Sequence, residues 1–270
     1  MPSAGWRAAS RRVVCETGPD PNMVSCAGLV PVMALAERAG LHDLVAAHVR
    51  VPGSAGSNAG VKVAALVAGM VAGADTIDDM DLLRHGGMGR VLTTGRAPST
   101  LGTFLRSFTF GHVRQLDAVA SRVLVNLAGR APLLVGADQV GFVDIDDTIK
   151  ATYGHKKQGA GYGYSGVKGL NALLATCSTP LSAPVIAATR LRRGPTNSTK
   201  GAARLVADAL VTAAKAGATG VGSDGHDPTG HDDTPTCTTP VKWRARISLT
   251  STIILERVVS PTEHSRVGLS

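Results

Sequence analysis

The chain has 270 residues, 44% of them apolar and 18% charged, which is enough length and hydrophobicity to bury a core and excludes a chain disordered throughout. Lysine and arginine number 28 against 20 acidic residues, a net charge of +8 that favours a polyanionic partner. Aromatics at 3% argue against binding built on rows of stacked bases, and Cys15, Cys26, Cys177 and Cys237 form no C-x-x-C pair that would suggest a zinc ribbon.

The longest apolar run, Val63 to Ala74, is too short to span a bilayer, and no apolar segment follows the N-terminal arginines. No membrane is therefore expected as a partner, and the expected location is the cytoplasm. The basic excess is uneven. Residues 1–140 carry 13 basic and 10 acidic side chains, residues 141–220 carry 10 and 4, and residues 221–270 carry 5 and 6. An eighty-residue middle stretch thus holds most of the charge, either as a solvated basic face or as a groove for phosphates.

In chain order, residues 1–23 read as a flexible tail and residues 24–130 as a helical region. Leu35, Ala36, Ala39, Leu44 and Val45 recur at helical spacing, with Gly40 as a break. Val51 to Gly60 is loop by composition, Val61 to Gly73 a small-residue helix buried nearly all round, and Asp75 to Leu83 an acidic helical segment. Pro98, Ser99 and Thr100 start a helix with Leu101, Phe104, Leu105 and Phe108 on one face. After Thr109-Phe110-Gly111 a second helix places Val113, Leu116, Ala120, Val123, Leu124 and Leu127 inward. Two short helices around a tight break, with Arg96, Arg106, Arg114 and Arg122 outward, suit a helix-turn-helix-like DNA contact; an ordinary bundle with a charged surface gives the same pattern.

Past Pro132 the period changes to that of strands. Gly141 to Thr148 reads as the first, Leu170 to Thr176 and Val185 to Leu191 as two more, joined across a Gly-, Tyr- and Lys-rich connection from Tyr153 to Gly169. Asn197 or Ser198 then caps a helix ended by Gly217, and a further strand is expected near residue 220. Three strands, a helix and a strand make an α/β order with a mixed sheet. Period-two geometry puts Asp144 and Asp146 on one strand face and Asp147 on the other. Acidic residues are depleted from strands, so the pair suggests either a hard divalent cation or a strand-to-turn transition in which Asp147 and Thr148 bond local backbone.

V-D-I-D-D-T (143–148) followed by Y-G-H-K-K-Q-G-A-G-Y-G-Y-S-G-V-K-G-L-N-A-L-L-A-T (153–176) resembles insertion-sequence transposases of the DDE type, in the actinobacterial branch with a D-x-D-x-T first strand. R-A-P-S-T-L-G-T-F-L-R-S-F-T-F-G-H-V-R-Q-L-D (96–117) and R-L-R-R-G-P-T-N-S-T-K-G-A-A (190–203) resemble the same proteins. The likeness implies an all-helical DNA-binding region over 24–130, followed by an incomplete ribonuclease-H-like mixed-sheet domain over 131–226. It also implies an aberrant, poorly ordered tail over 227–270, as expected of a C-terminally truncated or frameshifted family member.

The resemblance further implies Mg²⁺ in a two-metal site, with Asp146 and Asp224 as catalytic ligands and Asp144 beside them. The third acid, a Glu, has no motif here. Lys156, Lys157, Lys168, Arg190, Arg192 and Arg193 are the expected phosphate contacts, and Arg106, His112 and Arg114 the expected contacts to terminal repeats. The implied partners are double-stranded DNA, at terminal inverted repeats and target sites, and further copies of the chain in a homo-oligomer. The implied chemistry is strand cleavage and transfer. Two other readings stand beside it: a catalytically dead DNA-binding fragment, and a metal-dependent nuclease of the same fold.

Overall fold

The computed structural model describes residues 22–137, 140–153, 157–163, 165–197 and 199–218, with the backbone of 243–247 and 252–257. The chain divides into two compact units, Met1–His112 and Val113–Ser270. Both classes of element appear, helices first and then an antiparallel sheet. Among the described residues no helix is long and apolar enough to cross a membrane.

The first unit contains α1 (Leu29–Arg38), α2 (Leu41–His48), α3 (Ala59–Val71), α4 (Met88–Val91) and α5 (Pro98–Arg106), with 3-10 turns at Ser54–Gly56 and Asp78–Leu83. Gly40, at φ +82°, supplies the left-handed residue that separates α1 from α2. Leu29, Met33, Val45, Ala65, Ala68, Leu83, Leu101 and Phe104 fill the core. Two glycines of α3 permit close approach. A Cβ on Gly60 would meet His42 at 2.7 Å, and one on Gly69 would meet the Met80 sulfur at 2.3 Å.

Lys62 of α3 is only 7% exposed. Its ammonium lies 5.4 Å from the Phe104 ring centroid and donates to the Ala55 carbonyl at 2.8 Å, so the buried charge is answered by an aromatic face and a loop carbonyl.

Several sequence expectations shift here. Leu35 is exposed, and α1 instead buries Leu29 and Met33. Residues 29–36 are apolar without interruption, so periodicity alone cannot select the inward face. The buried stretch of α3 stops at Gly69, leaving Met70 and Val71 exposed. The helix beginning at Phe110, α6 (Phe110–Ala128), is 19 residues long, not a short recognition helix, and the division between units falls inside it. Its fully buried residue is Val119 rather than Ala120, which is exposed.

The second unit is built on β1 (Val140–Ala151), β2 (Gly161–Tyr162), β3 (Lys168–Thr179) and β4 (Ser182–Arg193). β3 lies between β1 and β4, and the short β2 continues along the same side of β3 as β4. Within 227–270, β5 (Trp243–Ile247) pairs with β6 (Thr252–Arg257), which pairs with β1. Every described pairing is antiparallel, so the mixed sheet expected from the element order is not found among the described residues. A parallel neighbour for β1 requires a crossover, whereas the strand beside β1 is half of a hairpin. The strand expected near residue 220 lies outside the described residues.

Alternate residues of β3, from Gly169 to Thr179, are buried. One face of the sheet carries Val143, Leu173, Ala175, Cys177 and Ala187 against Leu205, Ala209 and Ala213 of α7 (Ala202–Ala213). α7 starts later than expected, behind Gly201 at φ +81°, because Asn197 bonds Thr199 locally and does not cap the helix. It ends as expected at Gly217, φ +103°, after a widened turn. On the opposite, outer face no described residue of β1, β3 or β4 is buried.

The end of the sheet is closed by three glycines. A Cβ on Gly194 would lie 2.2 Å from the Gly169 carbonyl oxygen and 2.3 Å from that of Gly161, so the turn after β4 packs backbone against backbone on β2 and β3. Gly194→Ala is expected to destabilise the chain by at least about 1–3 kcal/mol, the usual range for overpacking. Gly89→Ala, exposed in α4 with nothing within 4 Å of its Cβ, should be neutral or stabilising. Urea midpoints of the two variants check the contrast.

Candidate metal centre and nucleic-acid interface

The register of β1 on β3 settles which way each carboxylate points. Asp147 pairs with Leu173, and Ile145 with Ala175, so Asp147 lies on the α7 side of the sheet. Asp144 and Asp146, paired with Thr176 and Leu174, lie on the outer face. The sequence parity therefore holds. The turn alternative does not, because β1 runs on to Ala151 and Asp147 bonds across the sheet.

Asp146 is exposed, and one of its oxygens accepts the Asp147 backbone N–H at 2.8 Å; Asp144 is half-buried. Two carboxylates two residues apart on one strand face offer hard oxygen donors about 7 Å apart along the backbone. This donor set fits Mg²⁺, which takes one or two carboxylates and keeps several waters. Among the described residues no group of three or more His, Cys, Asp or Glu gathers. Asp224 and Lys156 lie outside the described residues.

Asp147 takes a different role. Its carboxylate accepts from the Asn171 amide at 2.9 Å and from Arg192 at 3.3 Å. The Arg192 side chain is 7% exposed and also donates to the Asn171 carbonyl oxygen (Nε, 2.8 Å) and to the backbone carbonyls of Asn197 (3.1 Å) and Lys200 (2.8 Å). A further N–H of Arg192 also reaches the Asn171 oxygen. Burial lowers the pKa of this guanidinium, and Asp147 opposes that shift.

Arg192 is thus not the phosphate contact expected from the sequence: its donors are engaged inside the fold. Arg190 also points to the inner face. It pairs in register with Leu173, faces α7, and forms an ion pair with Asp208 at 2.6 Å. The motif R-L-R-R sits on a strand, so Arg190 and Arg192 share the inner face and Arg193 alone reaches the outer one, opposite Leu170.

Lys168 also lies on the outer face, paired with Tyr162 of β2, and Lys150 of β1 pairs with Leu170. Lys157 is exposed in the connection before β2. Lys150 and Tyr162 escape a reading of clustered charge because they are far apart in sequence; the signal that finds them is strand parity, once the register is known.

Arg106 is exposed at the end of α5 and donates to the Thr103 hydroxyl at 3.1 Å. His112 caps α6: its Nδ1 accepts the Thr109 backbone N–H at 3.0 Å, with the Thr109 hydroxyl at 3.1 Å. Its ring also meets Phe108 edge-on, at 5.8 Å between centroids. The capping nitrogen is therefore committed to the helix start rather than presented to a base edge. Arg114 pairs with Asp117 at 2.9 Å, and Asp117 also accepts the Thr189 hydroxyl at 2.7 Å, which ties α6 to β4.

Compared with protein-family models, curated proteins and solved structures, the chain matches none.

Two outcomes test this geometry. Arg192→Met leaves Asp147 without its cation in a partly buried place and should cost about 3–5 kcal/mol, the range for breaking a buried pair. Adding Asp147→Asn should recover part of the loss, and urea unfolding of the double-mutant cycle measures the coupling. At Asp117, burial raises the carboxyl pKa further than Thr189 and Arg114 lower it. The folded chain therefore takes up this proton at a higher pH than the unfolded chain. Its contribution to stability is fully present below the ordinary carboxylate value and is lost as pH rises through the raised value. Asp117→Asn should remove that component from the stability–pH curve, read as the difference between the two proteins' urea midpoints from pH 3 to 8.

Proposed function

We propose that the chain acts on DNA as a protein of the DDE transposase type, with a ribonuclease-H-like sheet whose outer face holds Mg²⁺ on Asp144 and Asp146. The observation that carries this reading is that β1 turns those two carboxylates to the face that also bears Lys150, Lys168 and Arg193, while Asp147 is engaged on the inner face. The order of a three-stranded antiparallel meander followed by a helix packed on one face agrees with the first half of that fold. A divalent cation bound there supplies Lewis-acid stabilisation of the charge that develops on a phosphodiester during strand cleavage.

The chain's own residues do the rest. Asp144 and Asp146 hold the cation, and the outer-face cations position the strand by its phosphates without reading sequence. Homo-oligomers and terminal inverted repeats belong to this proposal through the family likeness.

Fluorescence anisotropy on duplex DNA and nicking of supercoiled plasmid in Mg²⁺ test it together. Affinity should fall linearly on a log–log plot against salt, as expected where phosphate contacts release counterions. Nicking should require Mg²⁺ and be abolished by Asp146→Ala with duplex affinity retained. Salt-dependent binding without nicking by the parent would leave the DNA-binding half of the proposal and remove the catalytic half. No binding to duplex even at low salt would overturn both.

A further inference from the structure

The cations of the outer face are gathered at one end of the sheet, and an aromatic ring stands among them. Lys150 and Arg193 pair in register with Leu170 from its two sides, so the three form one row across β1, β3 and β4. The next row is Lys168 with Tyr162. Paired residues of an antiparallel ladder share a face, so the Tyr162 side chain lies on the outer face with these three cations. It is 68% exposed. Strand spacing puts the Cα atoms of Lys150 and Arg193 about 10 Å apart and the two rows about 7 Å apart. Neither Lys150 nor Arg193 has a carboxylate partner among the described residues.

The backbone under the ring is held from both sides. Gly161 pairs with Gly169, and a Cβ on Gly161 would strike the Pro195 ring at 2.9 Å. The Gly194 N–H donates to the Gly159 carbonyl at 3.0 Å, and a Cβ on Gly159, whose φ is +78°, would meet Leu170 at 3.4 Å and the aliphatic stem of Arg193 at 3.5 Å. Tyr162 is thus an exposed aromatic on a fixed support, ringed by positive charge. So exposed a ring contributes little to packing this unit.

We propose that this end of the outer face seats one unpaired nucleotide of a DNA strand, its base stacked on the Tyr162 ring and the flanking phosphates on Lys150, Lys168 and Arg193. The inference rests on the reading that the chain binds DNA and goes beyond it, since duplex binding by phosphates needs no exposed base. A single ring suffices for a single base, which agrees with a chain so poor in aromatics. Asp146 lies four residues from Lys150 along β1, about 13 Å. Tyr162 lies farther off, opposite Lys168 and six residues along β3 from Leu174, the partner of Asp146, so the seat is about 20 Å from that carboxylate along the strand direction.

The test is anisotropy of the full chain on a labelled oligothymidylate and, in parallel, on a duplex of the same length, at two salt concentrations. Replacing one stacking residue by alanine typically weakens single-strand binding by about 5- to 150-fold. Tyr162→Ala should lower single-strand affinity within that range while leaving duplex affinity unchanged, and Tyr162→Phe should restore it. Lys150→Ala and Arg193→Ala should each weaken both substrates and reduce the salt slope by about 0.7–0.9. Equal single-strand affinity of Tyr162→Ala and the parent would overturn the seat, as would an equal loss on both substrates, which marks a structural role for the ring. Those results leave duplex binding standing, whereas absence of duplex binding in the parent removes the broader reading as well.

Discussion

Arg192 needs an acceptor for every N–H while lying almost wholly out of water, and the second unit is organised around meeting that need. A guanidinium does not shed its proton, so an unanswered donor there would carry the full cost of desolvation. The answers come from three neighbours: Asn171 on the central strand, Asp147 on the strand beyond it, and the carbonyls of Asn197 and Lys200 in the loop that leads to α7. One side chain thereby fixes β1, β3, β4 and the entry of the helix relative to each other. It also fixes parity. With Asp147 drawn inward, Asp146 and Asp144 can only face outward, and a slip of one residue would exchange their fates. The candidate metal pair is in this sense a consequence of a buried ion pair on the other side of the sheet.

Parity also explains which parts of the site were legible in the sequence. Asp144 and Asp146 could be assigned to one face because three acids in a short strand can be counted by twos. The same counting applied to R-L-R-R separates Arg190 and Arg192 from Arg193, but clustered arginines invite a reading by composition, which treats them as one basic surface. The strand interior overrides it, placing two of the three under α7 with Asp208 and Asp147 as partners. Lys150 and Tyr162 were invisible for the opposite reason. Each is unremarkable in its own segment, and only the pairing of β1, β2 and β4 on β3 brings them together.

The helical unit shows a different limit. Gly40, Pro98 and Gly217 mark element ends correctly because their backbone preferences are local. Faces are not local. α1 is apolar over its first eight residues, and tertiary packing selects Leu29 and Met33 where periodicity favoured Leu35. His112 illustrates the same point at a helix start. A capping box is ordinarily sought as Glu or Gln three residues past the cap, so an imidazole in that place reads as a candidate for base recognition until its Nδ1 is seen to accept from Thr109.

The separation of charge along the outer face bears on how one surface could serve both metal and DNA. The backbone positions of Asp146 and Lys150 are about 13 Å apart along β1, beyond the Debye length of about 8–10 Å at physiological ionic strength, and the two form no ion pair among the described residues. Lys150, at the far end of the strand, therefore does little to neutralise Asp146. Asp147 provides the internal comparison, since it is adjacent in sequence yet 3.3 Å from a guanidinium and so withdrawn from any such role. Had Lys150 stood opposite Asp146 on the neighbouring strand, the two would have paired and each end would have lost its ligand. Spacing along β1, more than the number of charges, is what keeps the acidic middle of this face apart from its basic end, as the proposed binding of a cation and a polyanion requires.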